Sequence, residues 1–347
     1  MRIGAEPEGL LEAFALAAGI VPTPVIDTLM AAGLCRTLMV ASRVGVFEAL
    51  ADGPLSADEV ARRLDTHPVA TKKLLFALAG TGYVDARGER FDLGPVARRW
   101  LLERSERSLR DHMELMFLAW RWLEHYEQYV RTGEPLEVHG ELEGDDWRLY
   151  QRGMRSLAAI SSQEVAWRTP VPRGARDMID VGGSHGYYSV ALCRRHGSLR
   201  STVLDLPEAI AHAAPILAKE GMGDRVAHLE GNALEHDFGE ERYDLVLVSN
   251  LVHHFDDATN RSLVARIANA LRPRGVLVVQ EVMRPMSPQA AGGAGALGDL
   301  YFGALSEAGT WSPSEIAAWQ RDAGLEPLAP LSFLTAPSLG QQSAKKP

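Results

Sequence analysis

The sequence predicts a two-part molecule. The N-terminal half is all-helical apart from one small hairpin and follows a winged-helix pattern; the C-terminal half is α/β with a Rossmann-like, doubly wound sheet. Three observations carry this. The chain has 347 residues, room for about two domains. Residues 56–94 read helix, turn, helix, hairpin. From Asp177 onward apolar strand patterns alternate with helical ones, and the first, "DMIDV", breaks into the glycines of "GGSHG".

Composition narrows the function. Hydrophobic residues make up 46% of the chain, enough for sizeable cores, and the formal net charge is −9. An acidic protein is a poor partner for nucleic acid, whose binding rests on a basic face. The cysteines are Cys35 and Cys193, with no CxxC pair, which fits a reducing cytoplasm. Glu6, Glu8 and Glu12 argue against a secretory leader. The apolar run Val25–Leu50 is interrupted by Asp27, Arg36 and Arg43, so it is expected to be a buried helix at a subunit interface, with no role in a membrane. The terminal "GQQSAKKP" is expected to fray.

Taken in order, Ser56 is an N-cap signal, with Glu59 three residues on completing a capping box. A turn at Thr66-His67-Pro68 precedes a second helix over 69–80, and "YVDARGERFDLG" is a hairpin with a glycine turn. A winged helix can bind DNA or serve as scaffold; the mixed charge here (Lys72 and Lys73 against Asp58, Glu59, Asp85, Glu89 and Asp92) favours scaffold. Residues 111–170 are helical and rich in large side chains, among them Met113, Trp120, Trp122, Trp147, Tyr150 and Met154. They line an apolar ligand cavity or form plain core. The expected divisions are 1–110, 111–170 and 171–340. In the last, apolar strands are expected to form a parallel sheet covered on both faces, with a ligand at their carboxyl ends.

The glycine loop says what that ligand is. A dinucleotide fingerprint needs glycines at i, i+2 and i+5. Gly182, Gly183 and Gly186 stand at i, i+1 and i+4, and no phosphate-binding lysine follows. The next strand ends in Asp205, an acid placed to accept both hydroxyls of a ribose. A ribose without an evident phosphate points to S-adenosylmethionine.

"DVGGSHG", "LDLPEA", "GNALEHDF", "SNLVHHFDD" and "LRPRGVLVVQE" occur in one order and register. In this the chain resembles the plant caffeic-acid-type O-methyltransferases and their bacterial natural-product relatives, over nearly its whole length. The resemblance implies a homodimer through the N-terminal domain and S-adenosylmethionine as cofactor. It implies that Gly182 and Gly183 run beneath the amino-acid part of the cofactor, that Asp205 holds the ribose and that Leu206 packs on the adenine. Asn232 and Ala233 stand where the family has an acid near the adenine, and Ser249 occupies a position that in the family also contacts the cofactor. His253 matches the family's general base, His254 stands where an Asp is frequent, and Glu281 matches an acid that orients the base. Thr310 takes the place of a second flanking acid; Glu307 is near in sequence. Tyr150, Met154, Asn250, His254 and Tyr301 are the expected acceptor-binding residues.

The chemistry expected is methyl transfer to the hydroxyl of a small aromatic secondary metabolite. C-methylation of an activated aromatic carbon is the enzymatic alternative, and a ligand-sensing regulator without turnover is an alternative of another class. A metal site is the other use for His253, His254, Asp256 and Asp257, but neighbours on a strand diverge, so no metal site is expected. His185 is expected to point away from the cofactor loop.

Overall fold

A computed structural model describes residues 5–285, 287–336 and 338–347; residues 1–4, the start of the segment weighed above as a leader, lie outside these. The chain divides into two compact units, the first ending at Leu118 and the second beginning at Ala119.

The first unit opens with helix α1 (Leu10–Ala17) and the continuous helix α2 (Thr23–Val44), which carries a π-helical turn at Ile26–Met30. Gly45, at φ +87°, ends α2 and starts α3 (Val46–Ala49). Strand β1 (Leu55–Ser56) leads into α4 (Ala57–Leu64), then α5 (Pro68–Gly80), the hairpin β2 (Val84–Arg87) and β3 (Arg90–Leu93), and α6 (Pro95–Trp100). The capping box forms: Glu59 N–H donates to Ser56 Oγ at 3.3 Å, and Ser56 N–H to Glu59 Oε2 at 2.6 Å. Phe47, Leu50, Val60, Leu75, Leu78 and Phe91 close one core beneath it. Each such side chain contributes roughly 1.5–3 kcal/mol.

Within a single chain, Val25–Leu50 is buried only in part. Val25, Leu29, Met30, Val40 and Val44 are exposed on the single chain, whereas Met39, Ala41, Val46, Phe47, Ala49 and Leu50 are buried in it. By length and apolarity, Thr23–Val44 would also suffice to cross a membrane, at a mean hydropathy of 1.4, so its charges alone do not exclude that.

Helix α7 (Arg110–Leu123) spans the division between the units. In the second unit follow α8 (Tyr126–Thr132), a 3₁₀ turn (Val138–Glu141) and the long α9 (Asp145–Arg168). Then strands and helices alternate: β4 (Asp177–Val181), α10 (Tyr187–Arg195), β5 (Arg200–Asp205), α11 (Pro207–Ala218), β6 (Val226–Glu230), β7 (Tyr243–Ser249), α12 (Asp257–Ala270) and β8 (Leu271–Val282). The chain ends with α13 (Pro288–Leu305), α14 (Pro313–Asp322) and the strands β9 (Glu326–Pro327), β10 (Leu331–Ser332) and β11 (Leu339–Lys345).

The sheet order is β10-β11-β8-β7-β4-β5-β6, with β9 also on β11. Strands β8 to β6 are parallel, as expected from their apolar runs, and the order reverses at β4, which puts the ligand crevice at its carboxyl end. The sheet is mixed, however, because β11 runs antiparallel to β8. The tail expected to fray is thus a buried strand. Its glutamines have partners: Gln341 Nε2 donates to Gln280 Oε1 and to Thr169 Oγ1, each at 2.9 Å, and Gln342 Nε2 to the Leu328 carbonyl at 3.0 Å. Buried amides so matched cost little, which is why a polar sequence can sit at the sheet's interior.

Candidate active site

A cavity of about 680 Å³ opens at the carboxyl ends of the parallel strands, entirely within the second unit. Its floor is the turn after β4. Gly182 lies at φ +68°, where a side chain is strained, and an added Cβ would come within 2.9 Å of Leu251. Gly183 is small for another reason: its Cβ would sit 2.5 Å from the Asp180 carboxyl carbon, so the acid beneath the loop already fills that space. Asp180 accepts a 2.7 Å hydrogen bond from Ser189 Oγ, while its Oδ1 is buried without a partner. Burial pushes its carboxyl up to about 7.

Asp205 ends β5 on the cavity wall. Its Oδ2 accepts from Ser184 N–H at 2.7 Å and its Oδ1 from Leu206 N–H at 2.8 Å, so each oxygen keeps a lone pair for a ligand. Burial raises its pKa, against those two hydrogen bonds. Leu206 is exposed toward the cavity. Asn232 and Ala233 follow β6 on the same wall; Asn232 Oδ1 is taken by Leu234 N–H at 3.0 Å, which leaves the amide N–H₂ to face a ligand. Ser249, at the end of β7, accepts from Gln280 Nε2 at 2.9 Å and keeps its own proton to give. Asn250 follows at φ +51°, an uncommon conformation for a non-glycine residue.

The two histidines do not sit on a strand, as expected, but on a 3₁₀ turn, Val252–His254. This turn brings their rings to 4.1 Å between centroids, side by side. His253 is buried, packed against Phe302 at 4.7 Å, and its Nδ1 lies 3.0 Å from Glu281 Oε2. Glu281 Oε1 accepts from Val252 N–H at 3.0 Å, which fixes the carboxylate. A carboxylate only accepts, so the proton is on Nδ1 and the lone pair on Nε2. His254 is on the cavity wall, one layer in front of His253. Burial, with His253 and His139 alongside, holds its imidazole far below the usual range.

Of the other expected residues, Tyr150 and Met154 line the cavity. Tyr301 is outside the cavity wall; burial, then Tyr150 and Tyr126, push its phenol up. Thr310 is buried and donates to Asp299 Oδ1, while Glu307 is on the cavity rim. His185 does not point away: it is buried in the wall, its Nδ1 accepts from Tyr187 N–H at 3.1 Å, and burial pushes its imidazole down to about 3. Among the described residues, no group of three or more His, Cys, Asp or Glu side chains is placed to hold a metal ion. Sequence reasoning missed Asp180, His139 and Gln151. His139 and Gln151 reach the cavity from the segment before β4, and neither belongs to a motif.

The family model of the O-methyltransferase domain matches residues 126–326, and that of the O-methyltransferase dimerisation domain matches residues 26–103. The chain belongs to the O-methyltransferase family. It is similar to the 3-hydroxy-5-methyl-1-naphthoate 3-O-methyltransferase of Streptomyces sahachiroi, 28% identical over 89% of this chain and 92% of that protein. The mitomycin biosynthesis 6-O-methyltransferase of Streptomyces lavendulae is also 28% identical, over 87% and 88%. Among solved structures, mitomycin 7-O-methyltransferase superimposes with a TM-score of 0.77 at 25% identity, covering 96% of this chain and 99% of that one. An O-methyltransferase family protein from Burkholderia thailandensis shares the fold, with a TM-score of 0.77 at 21% identity over 98% and 99%.

This O-methyltransferase takes S-adenosylmethionine as its methyl donor. The cavity fits that molecule on its own evidence. The turn at Gly182 leaves backbone open to a ligand, and Asp205 offers two anionic oxygens with free lone pairs at a strand end. The unpartnered Asp180 Oδ1 adds a buried polar atom on the wall, next to the same loop.

Proposed function

We propose that this enzyme methylates an aromatic hydroxyl of a small secondary metabolite, with His253 as general base and Glu281 as the group that orients it. The observation that carries this is the buried pair His253 Nδ1 and Glu281 Oε2 at 3.0 Å, directly behind the cavity wall. S-adenosylmethionine supplies a methyl group activated by a sulfonium. The chain supplies the rest. Asp205 and the turn at Gly182 hold the donor's ribose and amino-acid ends, and Tyr150, Met154, Asn250 and His254 shape the acceptor's place. As the acceptor oxygen turns nucleophilic, its O–H bond breaks and the proton passes to Nε2 of His253. The imidazolium that forms is held by Glu281 through Nδ1–H. Free phenol is near 10 and imidazole near 6.5, so complete transfer before attack is uphill by roughly 5 kcal/mol. Transfer concerted with attack avoids that cost.

A second reading makes His254 the base, since His254, and not His253, is on the cavity wall. Its depressed basicity speaks against it, because a weaker base contributes less to proton removal. Turnover of His253→Gln, His254→Gln and Glu281→Gln with labelled donor tests both. On the first reading, His253→Gln loses about 10²–10⁴-fold, Glu281→Gln less and His254→Gln least. A larger loss at His254 than at His253 would reverse the assignment. The same reading makes the enzyme a cytoplasmic homodimer joined through its N-terminal unit, supported by the dimerisation-domain match and the exposed α2.

A further inference from the structure

His139 lies in the 3₁₀ turn Val138–Glu141, which no motif marks and which general-base chemistry leaves unused. Its Nε2 is 3.1 Å from the Tyr150 hydroxyl. Its ring is nearly parallel to that of Trp147, with centroids 5.8 Å apart and 10° between planes, and lies 4.7 Å from the ring of His254. All four side chains line the cavity.

Burial pushes the imidazole of His139 down to about 4, depresses that of His254 further, and raises the phenol of Tyr150. The three groups are therefore neutral at ordinary pH. A neutral imidazole carries one donor and one acceptor. Nε2 of His139 is engaged by Tyr150, while among the described residues no side chain or backbone group bonds its Nδ1 or the ring of His254. Polar groups left unmatched in a desolvated pocket are costly, so a ligand that meets them is selected over one that does not. The position of the pair says which part of the ligand that is. The ring of His254 lies between its neighbours, its centroid 4.1 Å from that of His253 and 4.7 Å from that of His139, so a ligand whose hydroxyl meets His253 brings the substituent next to that hydroxyl against His254 and His139.

We propose that His139 and His254, with Tyr150 fastened to His139, are a neutral hydrogen-bonding clamp that selects aromatic acceptors carrying a second oxygen or nitrogen adjacent to the hydroxyl that is methylated. This rests on the O-methyl reading of the site, and binding separates the two. The enzyme is first loaded with S-adenosylhomocysteine, confirmed by calorimetry, and then titrated with 2,3-dihydroxynaphthalene and with 2-naphthol. Loss of the first step would count against the cofactor site, not the clamp. The clamp requires the diol to bind at least tenfold more tightly than the mono-ol. His139→Phe, which keeps an aromatic ring against Trp147, should weaken the diol at least tenfold more than it weakens 2-naphthol. His139→Gln, able to reach Tyr150, should restore part of the preference. Equal weakening of both ligands by His139→Phe would show a merely structural residue. No preference in the wild-type enzyme, or binding of neither naphthol, overturns the proposal.

Discussion

At the scale of single residues, the cavity-wall residues at the strand ends were legible, as were Tyr150 and Met154, while His139 and Gln151 were not. Gly182 and Asp205 sit in contiguous motifs, a turn after one strand and the end of the next, so spacing alone places them. His139 and Tyr150 meet only because a 3₁₀ turn folds back against α9 eleven residues later, and no period encodes that. At Gly183 the atom that excludes a side chain is the Asp180 carboxyl beneath the loop. Asp205 carries the first prediction. Its two oxygens are positioned by Ser184 and Leu206 N–H groups. Asp205→Ala should weaken binding of S-adenosylmethionine by about 1.5–3 kcal/mol for each ribose hydrogen bond lost, with the melting transition retained. Calorimetry that gives unchanged affinity would remove the ribose assignment.

At the scale of elements, strands whose side chains are apolar on both faces were readable, and β11 was not. Its "GQQSAK" looks like a solvated tail; the Gln341–Gln280 and Gln342–Leu328 hydrogen bonds make it interior, and such pairing is invisible until the partner strand is known. The end of β4 holds a testable cost of the same kind. Asp180 is buried, with Oδ1 unmatched and its carboxyl raised from 3.8 to about 7. Between those values the folded protein binds a proton that the unfolded chain has released. Stability from that proton is complete below the unfolded value and is lost as pH rises through about 7. Asp180→Asn keeps a neutral acceptor for the Ser189 hydroxyl. The ligand-free variant should therefore melt at a higher temperature than wild type at pH 8, by an amount on the order of 2–4 kcal/mol in stability, with the gap shrinking toward pH 5. A gap that is constant with pH would place the effect elsewhere.

At the scale of the whole molecule, the expectation to test is that a second copy covers α2. A pattern apolar around most of its circumference says that a helix is buried, and the resemblance supplied the subunit interface as what buries it. The single chain leaves Leu29 63% exposed and Met30 55% exposed, and Val25, Val40 and Val44 continue the apolar surface along the helix. Surfaces of this kind on a water-soluble protein mark a partner. Two partners fit a helix of this length: a bilayer, or a second copy of the chain. The dimerisation-domain match begins at residue 26, inside α2, and favours the copy. Arg36 and Arg43 fit it too: the Arg43 guanidinium lies over the Phe117 ring at 3.2 Å and pairs with Glu114 at 2.7 Å within the same unit, an arrangement that hydrocarbon would penalise. Light scattering in detergent-free buffer should give twice the chain mass of 37.9 kDa. Leu29→Glu combined with Val40→Glu should shift it to a single chain mass, because each carboxylate would be desolvated against the partner. A wild-type monomer at micromolar concentration, or partition into neutral lipid vesicles that the double variant abolishes, would instead assign the helix to the membrane.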